Sequence, residues 1–312
     1  MDKRQRIHQQ DQRIHQSNRR LPYIYLLILL GSLVSASGWA QLQVLDDQGN
    51  AVILEQPARR MISLAPHTTE LLFAAGAGDA VVGVSSYSDY PPAAKTIPRI
   101  GDANNLDIER ILALQPDLVV VWGSGTSRRQ LDRLQSLGFK FYISEPHTLE
   151  QMIASIERLG VLAGTTPVAQ DSADKLHDRL DQLRRQNSGQ RTIRVFYQVW
   201  HEPLMTINAA HFINDAITLC GGVNIFADLP ALVPQLDQEA VLLADPEVII
   251  GAIAKGQEIS AVEAWRSWPD LQAVRLNNLY TIDADLISRP TPRLLDAAED
   301  LCEMLAQVRA KH

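Results

Sequence analysis

One segment of this chain occurs twice at a constant offset of 130 residues. Leu106-Asp107-Ile108-Glu109-Arg110-Ile111-Leu112-Ala113-Leu114-Gln115-Pro116-Asp117-Leu118-Val119-Val120 returns as Leu236-Asp237-Gln238-Glu239-Ala240-Val241-Leu242-Leu243-Ala244-Asp245-Pro246-Glu247-Val248-Ile249-Ile250. In each copy an aspartate stands where it caps a short helix, a glutamate sits in the first turn, and a proline leads into a buried strand. A chain that repeats such a unit is expected to build two lobes of one kind, with Glu109 and Glu239 at matching positions, one per lobe. The pair has two readings. Each carboxylate gains a few tenths of a kcal/mol from its helix dipole, or the two form symmetric acidic pegs for a symmetric partner.

Around the repeat, short β-rich apolar runs alternate with helical patterns, the signature of parallel βα units. Strands are predicted near residues 61–64, 81–84, 118–122 and 141–143, then at 194–199, 248–250 and 279–282. Helices are predicted near 68–75, 107–114, 127–137 and 149–162, then at 212–220, 238–243 and 292–308. The fold class is α/β with two Rossmann-like lobes, residues 41–164 and 190–312. Between them, Thr166 as cap and Pro167 in the first turn start a helix within 165–189 whose apolar residues recur at Ala169, Ala173, Leu176, Leu180 and Leu183. One apolar stripe on a helix of about 20 residues, about 30 Å long, makes a stiff strut between lobes.

The first 40 residues read differently. Six cations and two anions precede an apolar run from about Tyr23 to Val34, followed by small residues up to Ala40. That run is too short to span a bilayer and fits a secretory signal peptide cut after Ala40. The product carries 23 cations against 34 anions, a balance that argues against phosphate-backbone binding. No cysteine stands near the cut, so a lipid anchor is not expected. Cys220 and Cys302 are the only two cysteines; in an oxidising compartment they form either one disulfide or two buried thiols.

No P-loop, nucleophile elbow, His-Glu-x-x-His pair or zinc spacing is present. Gly76 and Gly78 follow a helix and read as its terminus. Gly123-Ser124-Gly125-Thr126-Ser127 follows a strand and opens a helix, so it reads either as a receptor for polar ligand groups or as a plain βα turn. Aromatic and polar residues gather at predicted strand ends, where open α/β sheets bind ligands: His67, Tyr87, Tyr90, Trp122, Trp200, His201, Asp285 and Arg289. Flat faces with a few polar anchors suit a large planar ligand. A metal site from His67, His201 and Asp285 is a weaker reading, because no local spacing supports it.

Two blocks, Ser63-Leu64-Ala65-Pro66-His67-Thr68-Thr69-Glu70 and Val81-Val82-Gly83-Val84-Ser85-Ser86-Tyr87-Ser88-Asp89-Tyr90-Pro91-Pro92, closely resemble the periplasmic cobalamin-binding family of the vitamin's ABC importer. Residues 106–122, Arg194-Val195-Phe196, Cys220-Gly221-Gly222-Val223-Asn224-Ile225-Phe226 and Pro292-Arg293 extend the resemblance to about 60–308. The resemblance implies two lobes on one long backbone helix, as in class III substrate-binding proteins, with little hinge motion. It implies corrin contacts from Tyr87 and Trp122, a C-lobe ligand segment of Asp285, Leu286, Ile287, Ser288 and Arg289, and a Cys220–Cys302 disulfide; His67 and Trp200, read from their strand ends, are expected to add to the ligand contacts. It also implies that Glu109 and Glu239 dock on paired membrane subunits. Ala103 and Val233 stand where the enteric family member has further pocket tryptophans, and Trp200 where it has a small residue. The expected function is a periplasmic protein, monomeric when free, that captures cobalamin or a related corrinoid and delivers it to an ABC permease dimer. It would be no enzyme and hold no catalytic cofactor or metal. The alternative is a ferric siderophore or haem binder of the same fold, with His67, His201 or Tyr87 around iron.

Overall fold

The computed structural model describes residues 41–254 and 261–311; the predicted leader lies outside the described residues. An antiparallel hairpin of β1 (Leu42–Leu45) and β2 (Ala51–Leu54) comes first. Its turn closes on Asp46, whose carboxylate accepts the backbone N–H groups of Gln48 and Asn50 at 3.0 and 2.8 Å. A parallel sheet follows, built from β3 (Met61–Ser63), β4 (Val81–Val84), β5 (Leu118–Trp122) and β6 (Phe141–Ser144) in the order β4-β3-β5-β6. The second parallel sheet is built from β7 (Ile193–Gln198), β10 (Gly222–Asn224), β11 (Val248–Ile253) and β12 (Leu279–Asp283) in the order β10-β7-β11-β12. Between β7 and β10 lies a hairpin of β8 (Trp200–His201) and β9 (Leu204–Met205). Both four-stranded sheets therefore run second-first-third-fourth, and the repeated segment supplies the third strand of each.

Ten helices carry the connections among the described residues: α1 (Pro66–Ala74), α2 (Ile108–Leu114), α3 (Arg128–Ser136), α4 (Leu149–Ala163), α5 (Thr166–Asn187), α6 (Phe212–Leu219), α7 (Gln238–Ala244), α8 (Gln272–Arg275), α9 (Ala284–Ile287) and α10 (Leu294–Ala310). The strut is α5, and its 22 residues span about 33 Å. All five residues of its apolar stripe are buried. It lies close against α4: a Cβ on Gly160 would stand 2.2 Å from the Ala169 Cβ, so this crossing requires glycine. One continuous apolar cluster runs from Val52 and Leu71 through Leu159, Leu176 and Leu180 to Leu301 and Val308, behind both sheets. Separate clusters fill the outer face of each sheet, around Ile111 and Val119 in one and Phe196 and Trp265 in the other.

The helix starts correct two readings. Thr165, not Thr166, is the cap residue of α5, and it makes no capping bond; its hydroxyl instead donates to Ala75 O at 2.6 Å, tying the strut to the end of α1. In the repeat, Asp107 accepts from Arg110 N at 2.9 Å, whereas Asp237 makes no side-chain capping bond. Both copies end alike, on a left-handed residue before proline, Gln115 at φ 44° and Asp245 at φ 40°. Cys220 and Cys302 are bonded, S–S 2.03 Å, pinning the end of α6 to α10.

A candidate ligand cleft

In a sheet ordered second-first-third-fourth, crossovers leave the first strand for one side and return to the third from the other. A crevice opens beyond the carboxyl ends of that pair, here β3 with β5 and β7 with β11. His67 follows β3 and Trp122 ends β5, which brings them together: the rings meet edge to face, centroids 5.5 Å apart at 83°. Trp122 lies flat on Gly125, where a Cβ would come within 1.9 Å of the indole. Its N–H points to Glu145 Oε1 at 3.4 Å. The same Glu145 accepts from both the backbone N–H and the hydroxyl of Ser124. The glycine-rich loop therefore receives the chain's own carboxylate, which settles its two readings in favour of a turn stapled from within.

His67 is buried, and its Nε2 has no hydrogen-bond partner. Burial first, and the Arg289 guanidinium second, pull its pKa down to about 3, so the imidazole is neutral near pH 7. An unfolded chain takes up this proton near pH 6.5, before the folded one does. The stability linked to His67 is therefore whole above that pH and is lost progressively as pH falls toward about 3. The thermal midpoint is expected to decline over that window, and His67→Gln to flatten the decline; an equal slope in both proteins would refute the assignment.

Tyr87 projects from the loop after β4 with a left-handed backbone, φ 64°, and the residue is 78% exposed. A tyrosine held this way costs about 1–3 kcal/mol, and the surroundings supply the restraint. Ser63 Oγ bonds Thr68 and Thr69 hydroxyls at 2.6 and 2.7 Å, Thr69 passes on to Ser88 at 3.0 Å, and Arg99 donates to Ser85 O and Ser88 O. The tyrosine ring is thereby presented to solvent on a rigid loop.

On the other lobe Trp200 and His201 are both exposed on the β8 hairpin, with the Trp200 N–H held by Glu202 O at 2.9 Å. They border a cavity of about 760 Å³ that reaches Gln198, Gly251, Ala284 and Ser288. A second cavity of about 320 Å³ is lined from both lobes, by Pro66, His67 and Trp122 on one side and Asp285, Ser288 and Arg289 on the other. Of the predicted C-lobe segment, Ile287 is fully buried in the core and Leu286 packs against it. This is a correction set by the short helix α9, which turns the adjacent Leu286 and Ile287 toward the core. His67, His201 and Asp285 do not converge on a metal, and among the described residues no group of three metal-ligating side chains forms.

The link between lobes that sequence reading missed is Glu70. This residue of α1 is buried and takes two bonds from Arg293, at 2.6 and 2.8 Å, while Arg293 lies 4.1 Å over the Tyr90 ring. Arg289 Nη1 stands 3.5 Å from Glu70 and 3.4 Å from Asp89, and its Nη2 3.3 Å from Asp285. A glutamate inside the apolar run of α1 was the available signal.

Glu109 and Glu239 are exposed in the first turns of α2 and α7. Among the described residues neither makes a hydrogen bond or ion pair. A helix that returns to a parallel strand begins at the sheet's carboxyl edge, so both carboxylates flank the rim on which the cleft opens.

Two like α/β lobes on one strut, with aromatic faces and a few polar anchors between them, define a bilobal ligand-binding protein. Residues 61–286 match the family described as periplasmic binding protein, and the chain belongs to that family. It is 42% identical over 253 residues to the vitamin B12-binding protein of Vibrio cholerae serotype O1, covering 80% of this chain and 90% of the relative. The crystal structure of the periplasmic vitamin B12 binding protein of Vibrio cholerae matches at TM-score 0.74 and 40% identity, over 81% and 98% of the two chains. The apo periplasmic heme-binding protein of Roseiflexus sp. RS-1 shares the fold at TM-score 0.69 and 24% identity, over 81% and 99%.

Proposed function

We propose that this protein is exported, loses residues 1–40, and as a monomer captures cobalamin or a related corrinoid in the cleft for delivery to the permease dimer of an ABC transporter. The observation that carries the reading is the pairing of aromatic faces at the carboxyl ends of both sheets, Trp122 with Tyr87 and Trp200, in a chain this similar to vitamin B12-binding relatives. A planar macrocycle buries most area between such faces. Asp285, Ser288 and Arg289 then meet its edge, with His67 against one ring face. The protein performs no covalent step. Isothermal titration of the purified protein with cyanocobalamin, and in parallel with cobinamide, tests the reading. One-to-one binding at about micromolar or tighter supports it; no heat and no competition from either would remove the corrinoid and turn the search to haem and ferric siderophores.

Docking is assigned to Glu109 and Glu239, free carboxylates on one rim. Reversing both charges, Glu109→Lys with Glu239→Lys, is expected to abolish transport stimulated by the protein while leaving corrinoid affinity within about twofold, because the two lie outside the cleft. Transport that survives the double reversal would end this assignment.

A further inference from the structure

We infer that Arg99 is a positioning residue for capture: it holds Tyr87 in the strained conformation that presents the ring to the ligand. The inference rests on the corrinoid reading above for the ligand and on the geometry of the loop for the hold. Residues 85–88 form a four-residue turn in which the Ser88 N–H lies 3.4 Å from Ser85 O, and Tyr87 stands third in it at φ 64°. That place usually belongs to glycine or asparagine, because a larger side chain crowds its own backbone there. The tyrosine that occupies it is 78% exposed, so burial of the ring does not explain the choice. The strained turn instead carries an aromatic face out from the sheet edge, where a ligand can meet it.

The cross-brace of this turn is Arg99. Residues 98–101 return alongside the end of β4: the Val84 N–H donates to Pro98 O and the Ile100 N–H to Val84 O, both at 3.0 Å, and the Ser86 N–H donates to Gly101 O at 2.7 Å. This register sets Arg99 beside the turn. Its Nη1 donates to Ser85 O at 3.1 Å and to Ser88 O at 2.7 Å, so carbonyls from both ends of the turn converge on one nitrogen. Without the cation those two oxygens repel each other, and the turn can relax by returning Tyr87 to an ordinary negative φ. The Ser88 hydroxyl, 3.0 Å from Thr69 and 3.1 Å from Ser85, ties down the side chain of the same residue. Arg99 is half-buried and acts through the turn rather than on the ligand. A ring fixed before the ligand arrives loses little freedom on binding, so the brace is expected to register in affinity.

A double-mutant cycle tests this, read by isothermal titration with cyanocobalamin and by amide hydrogen exchange of residues 85–89 in the ligand-free protein. Arg99→Ala is expected to weaken binding about 10-fold and to speed exchange in the loop about 10-fold. Arg99→Lys, whose ammonium can serve both carbonyls as Nη1 does, is expected to recover most of both. In a Tyr87→Gly background the third residue is left-handed without strain, and removing Arg99 there is expected to change affinity less than about twofold. Tyr87→Gly alone is expected to bind about 10-fold weaker while keeping its thermal midpoint within about 2 °C, which separates loss of the ring from loss of the fold. Unchanged affinity or unchanged exchange in Arg99→Ala, an equal loss of affinity in both backgrounds, or no recovery with lysine would overturn the inference. Absence of heat with cyanocobalamin in the unsubstituted protein would be a different failure, that of the corrinoid reading, and the exchange measurement would still decide whether Arg99 holds the turn.

Discussion

Glu70→Ala is expected to lower the free energy of unfolding by about 3–5 kcal/mol, the range for removing one partner of a buried ion pair. Glu70 is 3% exposed at its side chain, with Arg293 and Arg289 at 17% and 19%. Deleting the carboxylate leaves two guanidiniums with little water and no counter-charge from α1. Arg293, whose hydrogen bonds to Glu70 hold its pKa above the ordinary arginine value, loses both bonds at once. Glu70→Gln keeps one acceptor oxygen and is expected to cost less. Chemical denaturation of the three proteins decides the matter: a loss under about 1 kcal/mol in the alanine variant would mean that solvent screens the pair as it does at a surface.

The second large effect is expected from the crosslink. Replacing Cys220 and Cys302 by alanine should destabilise the protein by about 2–5 kcal/mol, because a closed loop of this length restricts the unfolded chain. The bond joins residues 82 apart and ties α6 to α10 inside the continuous core, so truncating two buried side chains adds a packing loss. Reduction of the wild-type protein under denaturing titration separates the two contributions. An unchanged midpoint in both the reduced and the substituted protein would show that the core alone secures this lobe.

The parallel sheets were legible because buried parallel strands are written as unbroken apolar runs between helical patterns, and the repeat disclosed that two of them are equivalent. The edges were not. The β8 and β9 strands are two residues each, too short to show a period of two. The hairpin of β1 and β2 has only four residues on each side. His67, Trp122 and Arg289 were found because residues at strand ends are set by topology. Glu70 with Arg293 was missed because 223 residues separate the partners, and no local pattern records which cation a buried acid will meet. Glu145 escaped for the same reason: its work is to fill a turn whose glycines, read alone, left a ligand receptor and a plain βα turn equally open. Ile287 was placed in the cleft by its neighbours, whereas the short α9 directs it inward.

The apolar cluster that runs unbroken behind both sheets makes the molecule a tray rather than a trap. Opening the lobes widely would tear hydrocarbon contacts along α4, α5 and α10, so thermal fluctuation alone supplies little of the work of unloading. Cargo seated on such a tray leaves quickly only when something levers the two rims apart from outside. On the delivery role proposed above, the receiving protein is then expected to do the prying as well.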